Sequence, residues 1–96
     1  MKPVLFFPAA LSDIEDIHEF TEMNWSVVQA DAYLRKLQAA CDDIAAGRRV
    51  GRALVPNRPA HLFLSSGSHF IVYRETAASL VVVRILHQRM DLSRHL

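Results

Sequence analysis

The chain has 96 residues, 51% hydrophobic and 22% charged, with three glycines, four prolines and one cysteine. That length holds one small domain and excludes a second. A single Cys41 excludes an internal disulfide and a cysteine-built metal cage. No apolar run reaches the roughly 18–20 residues that span a bilayer. Disorder is expected only in the last few residues.

Net charge is +1, but it is unevenly placed. Residues 1–43 carry three Lys/Arg against eight Asp/Glu, a balance of −5; residues 44–96 carry eight Arg against two acids, a balance of +6. Two readings stay open: a dipolar surface of acidic helices and a basic sheet edge, or arginines placed for an acidic partner.

Val4 to Phe7, bounded by Pro3 and Pro8, predicts a short first strand. The apolar run there is too short for a signal peptide, so a cytoplasmic address is expected. Pro8 suits a helix start, and Ser12-Asp13-Ile14-Glu15 offers a second one as a capping box. Ala10, Ile14, Ile17 and Thr21 then fall at helical spacing, giving a helix from about Ala9 to Asn24. Ser26-Val27-Val28-Gln29 is another capping box and opens a second helix. Its apolar stripe is Ala30, Leu34, Leu37, Cys41 and Ile44, and Gly47 ends it. Two helices joined this tightly form an antiparallel hairpin, with Trp25 expected in the core at its corner and Cys41 in the core of the stripe.

Residues 47–60 read as a loop holding Arg48, Arg49, Arg52 and Arg58 and no acid. These arginines suit either solvent or an acidic partner, and the first two also suit a helix C-terminus. Three strands follow: His61 to Ser65, His69 to Arg74, and Leu80 to Leu86, with turns at Ser66-Gly67-Ser68 and Thr76 to Ser79. The last strand is apolar on both faces and therefore interior to the sheet. Residues 88–96 form a polar tail. The expected class is α+β, in the order β-α-α-β-β-β, with a helical hairpin on one face of a small, mostly antiparallel sheet.

Two stretches carry a family resemblance: Gly67-Ser68-His69-Phe70-Ile71-Val72-Tyr73-Arg74 and Val83-Arg84-Ile85-Leu86-His87-Gln88-Arg89-Met90-Asp91. They resemble the G-S-H-x-I-x-Y-R and V-R-I-L-H-x-R-x-D patterns of the ParE branch of the RelE/ParE toxin superfamily. Residues Ala10 to Trp25, with Asp13-Ile14-Glu15-Asp16-Ile17, are similar to that family's first helix. The resemblance covers nearly the whole chain. It implies a RelE/ParE-like fold, cytoplasmic location, a ParD-like ribbon-helix-helix antitoxin as partner, and poisoning of DNA gyrase. Nucleic acid would be met only indirectly, through the antitoxin, and no membrane is involved. One segment departs from the pattern: Arg58-Pro59-Ala60-His61-Leu62 stands where relatives show R-P-G-Y-R, which puts the target in question.

The superfamily also contains ribosome-dependent endoribonucleases. Cleaving RNA through its 2′-hydroxyl needs a base, an acid and cations around the phosphate. Residues 61–73 contain no Lys or Arg, leaving Arg74 and Arg84 as the expected strand-borne cations. His69, His87 and Tyr73 are the proton carriers, and a strand histidine among apolar neighbours is more often structural. His87, Asp91 and Ser93 lack the setting of a nucleophilic triad. No catalytic residue, metal site or cofactor is assigned.

Arg84 interrupts an apolar strand and needs a partner or water. A salt bridge to Glu75 or to a helix carboxylate, and an open-face cation contacting target or antitoxin, both fit; charge reversal there is expected to lower toxicity and leave the fold intact. Candidate target-binding residues are Arg74, Arg84, His87, Arg89, Asp91 and Arg94, the tail being where the resemblance places toxic action. Candidate antitoxin-binding residues are Trp25, Arg48, Arg49, Arg52, Arg58 and Arg84. Beside the gyrase poison stand two alternatives: a nuclease of the same fold, or a detoxified module that only binds antitoxin.

Overall fold

The computed structural model describes the backbone of residues 1–55 and 58–90, and their side chains outside residues 54–60. The chain runs β1 (Val4–Phe6), α1 (Pro8–Asn24), α2 (Val27–Ala45), β2 (Arg52–Val55), β3 (Arg58–Ser66), β4 (His69–Glu75) and β5 (Leu80–His87). The two helices pack against a five-stranded sheet of order β1-β5-β4-β3-β2. All neighbours are antiparallel except β1 and β5. The α+β class and the helical hairpin stand as expected, and the element string gains one strand.

The helix starts follow local chemistry. α1 begins at Pro8, whose missing N–H costs nothing in a first turn, so the Ser12 box is interior to the helix. At α2, the Ser26 hydroxyl accepts the Gln29 N–H at 3.1 Å, the expected cap. The helix closes with Gly47 N–H on Ile44 O at 3.0 Å and Arg48 N–H on Asp43 O at 2.8 Å.

The added strand lies in the segment read as a loop. Arg52 and Ala53 pair with Phe63 and Leu62, and β3 already begins at Arg58. Arginines and turn residues dominate this stretch, so its own pattern is not strand-like. Tertiary contacts decide it: Gly51 N–H donates to the Tyr73 hydroxyl at 2.7 Å. A Cβ at Gly51 would lie 2.5 Å from Phe63 O and 2.6 Å from that hydroxyl, so only glycine brings the backbone this close. The expectation that Arg74 and Arg84 alone carry strand cations is thereby corrected, since Arg52 lies on β2 and Arg58 on β3.

The core lies between helices and sheet. Ala10 and Ile17 of α1 and Leu37, Cys41 and Ile44 of α2 meet Ile71, Tyr73, Leu80, Val82 and Ile85. Ile14 and Leu34 of the predicted stripes are partly buried against them. Burial pushes the Cys41 thiol up to about 12, as suits a core side chain. Along β5 the inward positions run Leu80, Val82 and then Ile85. The register explains this break in alternation: Tyr73 faces Val82 but Val72 faces Arg84, so Val83 is a bulge. Trp25 departs from expectation. It is 71% exposed, standing at the joint of the helices in the wall of an open groove instead of the core.

Tyr73→Phe is expected to cost about 1–2 kcal/mol by removing the acceptor of the Gly51 N–H. Gly51→Ala is expected to cost more, because the Phe63 carbonyl cannot move aside within a paired strand. Urea melts of both variants against the parent check the order.

Candidate functional site

The end of β5 is positioned by one carboxylate. β1 covers β5 only from Leu80 to Val82, and Phe7 N–H on Val82 O at 2.9 Å is the last ladder bond. Pro8 then turns the chain into α1. One and a half helical turns on, Asp13 reaches the uncovered edge and accepts the Ile85 backbone N–H at 2.9 Å. The same carboxylate accepts Arg84 Nε at 2.8 Å and a second guanidinium N–H at 2.9 Å. The pair is bidentate, the strong form of such a contact. The hydrogen bonds to Asp13 push the Arg84 guanidinium above its ordinary value. Of the readings of Arg84, the bond to a helix carboxylate is the one formed; Glu75 is instead taken by Lys2 at 3.0 Å.

β5 leads to an open groove of about 610 Å³. Ile17 and Phe20 of α1, Trp25 at the joint and Met90 beyond β5 give it apolar walls. Tyr33 of α2, His69 of β4 and His87 of β5 add a polar cluster, with Asp16 and Lys36 among the lining charges. Phe20 is 66% exposed, and Met23, Val27 and Val28 next to the joint are exposed too. So large an apolar display on a small domain marks a binding surface.

The polar cluster is tightly arranged. Tyr33 Oη accepts the Ser68 N–H at 2.9 Å and lies 2.6 Å from His69 Nδ1. Its other acceptor, Ser66 O, is 3.5 Å away. The shorter contact makes Nδ1 the main partner of the Tyr33 hydroxyl, and either group can be the donor there. The His87 ring meets His69 edge-on, with centroids 5.3 Å apart, and its Nδ1 accepts the Arg89 N–H at 3.1 Å. Burial, with help from His87, lowers the pKa of His69. The two-residue turn before His69 needs Gly67, which has φ +58° and sits where a Cβ would come within 2.7 Å of Tyr33 Oη. Gln88 locks the turn by donating to Ser65 Oγ and Gly67 O.

The family model described as "ParE toxin of type II toxin-antitoxin system, parDE" matches residues 4–92. The chain belongs to the ParE toxin family. It is 48% identical over 93 residues to Toxin ParE1 of Mycobacterium tuberculosis strain H37Rv, covering 96% of this chain and 95% of that one. It is 35% identical over 96 residues to Toxin ParE1 of Caulobacter vibrioides, covering 100% and 99%. A solved structure titled "Chromosomal ParDE TA system from P. aeruginosa" superposes with a TM-score of 0.74 at 15% identity, over 91% of this chain and 96% of that one, and shares the fold. The chain is thus the toxin component of a type II toxin–antitoxin system.

Of the candidate residues, the toxin fold gathers Trp25 and His87 into the groove. Arg84 is held by Asp13, and Arg74 lies over the Phe7 ring at 5.5 Å, so both support the fold. Arg48 pairs with Asp43 at 2.8 Å, Arg49 donates to Ser65 O at 3.3 Å, and Arg52 is exposed on edge strand β2. Arg89 is exposed just past β5. Asp91, Arg94 and the remainder of the tail from residue 91, and the side chain of Arg58, lie outside the described residues. The sequence reading missed Asp13, Phe20 and Tyr33. Only the interrupted strand at Arg84 hinted at Asp13, by demanding an unnamed carboxylate.

The expectation that reversing Arg84 leaves the fold intact is withdrawn. Arg84→Glu would set two carboxylates together and is expected to destabilise more than Arg84→Ala. Asp13→Ala, which frees both Arg84 and the Ile85 N–H, is expected to cost about 3 kcal/mol. A double-mutant cycle by chemical denaturation reads the coupling of the pair. Additive single costs would show that the contact contributes nothing.

Proposed function

We propose that this toxin acts by binding DNA gyrase and blocking replication, and that a ParD-like antitoxin neutralises it by laying an apolar segment into the groove at Trp25. The observation that carries the binding reading is the exposed apolar wall of that groove, with Phe20, Trp25 and Met90 around it. A disordered segment that folds on binding gains affinity from such anchors. The second-half arginines Arg48 and Arg49, between α2 and β2, and Arg52, on edge strand β2, suit acidic residues elsewhere on the antitoxin. Site of action, by this reading, is the cytoplasm; among the described residues no helix is long and apolar enough to cross a membrane.

Two observations favour binding over RNA cleavage. The central-strand cations Arg74 and Arg84 are committed to Phe7 and Asp13 and do not stand ready for a phosphate. His69, the best-placed proton carrier, is already hydrogen-bonded to the Tyr33 hydroxyl. The tail from residue 91, with Asp91 and Arg94, joins Arg89 as the proposed contact with gyrase.

Expression of the toxin alone in a bacterium is expected to give filamentous cells with intact mRNA, and the purified chain to inhibit gyrase supercoiling. Co-expression of the ribbon-helix-helix protein from the adjoining frame should restore growth, and Trp25→Asp should prevent that rescue. Rapid mRNA loss without gyrase inhibition would replace this reading with the nuclease, and normal growth with the detoxified module.

A further inference from the structure

We propose that the His69–His87 pair makes the groove acid-labile, so that it holds an apolar segment at neutral pH and releases it on acidification. The regulation concerns the same groove and rests on the reading that an apolar antitoxin segment docks there.

Each Nδ1 is already engaged, at His69 with the Tyr33 hydroxyl and at His87 as acceptor of the Arg89 N–H. The two differ in how they can take a proton. Charging His87 at Nδ1 breaks its bond to Arg89. Charging His69 fixes the direction of a bond: Nδ1–H then donates to Tyr33 Oη, whose own proton turns to Ser66 O, 3.5 Å away. A route for one proton therefore exists at His69, built from groups already in contact. A second proton is opposed, since the rings stand 5.3 Å apart.

The surroundings set the sign. Facing His69 are Tyr33 and Lys36 from α2, Asp13 and Asp16 from α1, and His87 from β5. Asp13 favours the charged ring but is engaged by Arg84 and the Ile85 N–H, while burial and His87 oppose it. An apolar segment lying across Ile17, Phe20, Trp25 and Met90 would take more water from the rings and offer no counter-charge. It must bind the neutral form more tightly, so protons and segment compete. The folded pKa of His69 is below its unfolded 6.5. The stability its neutral ring contributes is thus complete above that pH and is lost as pH falls toward the folded value.

The test uses the full chain and the neutral fluorophore N-phenyl-1-naphthylamine as an apolar probe of the groove. Its affinity is expected to fall as pH drops below 6.5, steepening toward the limit of tenfold per pH unit for one proton. Trp25→Ala should weaken binding at every pH. His69→Gln, which keeps an acceptor for Tyr33, should flatten the pH dependence, and His87→Gln should move its midpoint upward. Pairing the titration with the His69 ring-proton NMR shift reads the ionisation directly. Flat affinity in the parent chain, or a slope unchanged by His69→Gln, would overturn the device. A pH-dependent probe that the rescuing antitoxin does not displace would uphold the device and overturn only the placement of the antitoxin.

Discussion

Past Phe7 the edge of β5 has no strand beside it, and the Asp13 carboxylate stands in for one. It takes the Ile85 N–H that a longer β1 would have taken, and it neutralises Arg84 next to it. Three tasks follow from that one side chain. It ends the sheet on this side without leaving a partly buried donor unpaired. It fixes how α1 lies against β5, since the strand is gripped by its backbone and by a guanidinium at once. It also compensates a charge that would otherwise face a largely apolar strand. Without Asp13, β5 would lack its anchor just where it turns toward the groove.

The bulge at Val83 belongs to the same construction. Strict alternation from Leu80 and Val82 would have sent Arg84 inward and Ile85 outward. The extra residue reverses that order, so Ile85 joins the core and Arg84 is left beside Asp13. Beyond it, His87 comes level with His69, and Gln88 reaches back to tie the Gly67 turn. Groove geometry thus depends on register set four residues earlier. A slip of β5 would separate the two histidines and withdraw Met90 from the wall.

Much of the fold was legible because it is written in local chemistry. Pro8 and Ser26 start the helices, the Ala30-to-Ile44 stripe faces the core, and Gly67 makes the hairpin turn. β2 was not legible, because Arg52 and Ala53 become strand only by pairing with β3, and Gly51 only finds its partner when Tyr73 is in place across the sheet. Trp25 shows the opposite failure. Its size argues for burial, yet the fold leaves it exposed at the joint of the helices, in the groove wall. At the site, His87 was singled out for lying in a matched motif. Tyr33 was not, since a tyrosine within a helix has no pattern that announces a histidine 36 residues later.

Charge asymmetry, the plainest feature of the sequence, divides into two kinds once partners are known. Arg74 and Arg84 are spent inside the molecule, on Phe7 and on an acid from the other half. The −5 and +6 halves are therefore partly a folding device, an acid of α1 being paired with the one arginine of the strand it covers. Arg48 and Arg49 hold the chain leaving α2 through Asp43 and Ser65, although both guanidinium groups still face water. Among the described residues Arg52 and Arg89 have no such internal partner in their exposed positions, one on edge strand β2 and one just past β5. Electrostatic steering of an acidic partner rests on exposed charges of this second kind, because a cation already neutralised at 2.8 Å adds little to the field outside. The groove works by the other force. Its walls are largely apolar, so on the proposed reading attraction would bring a partner to the arginine edges while burial of side chains against Trp25 and Phe20 would decide how long it stays.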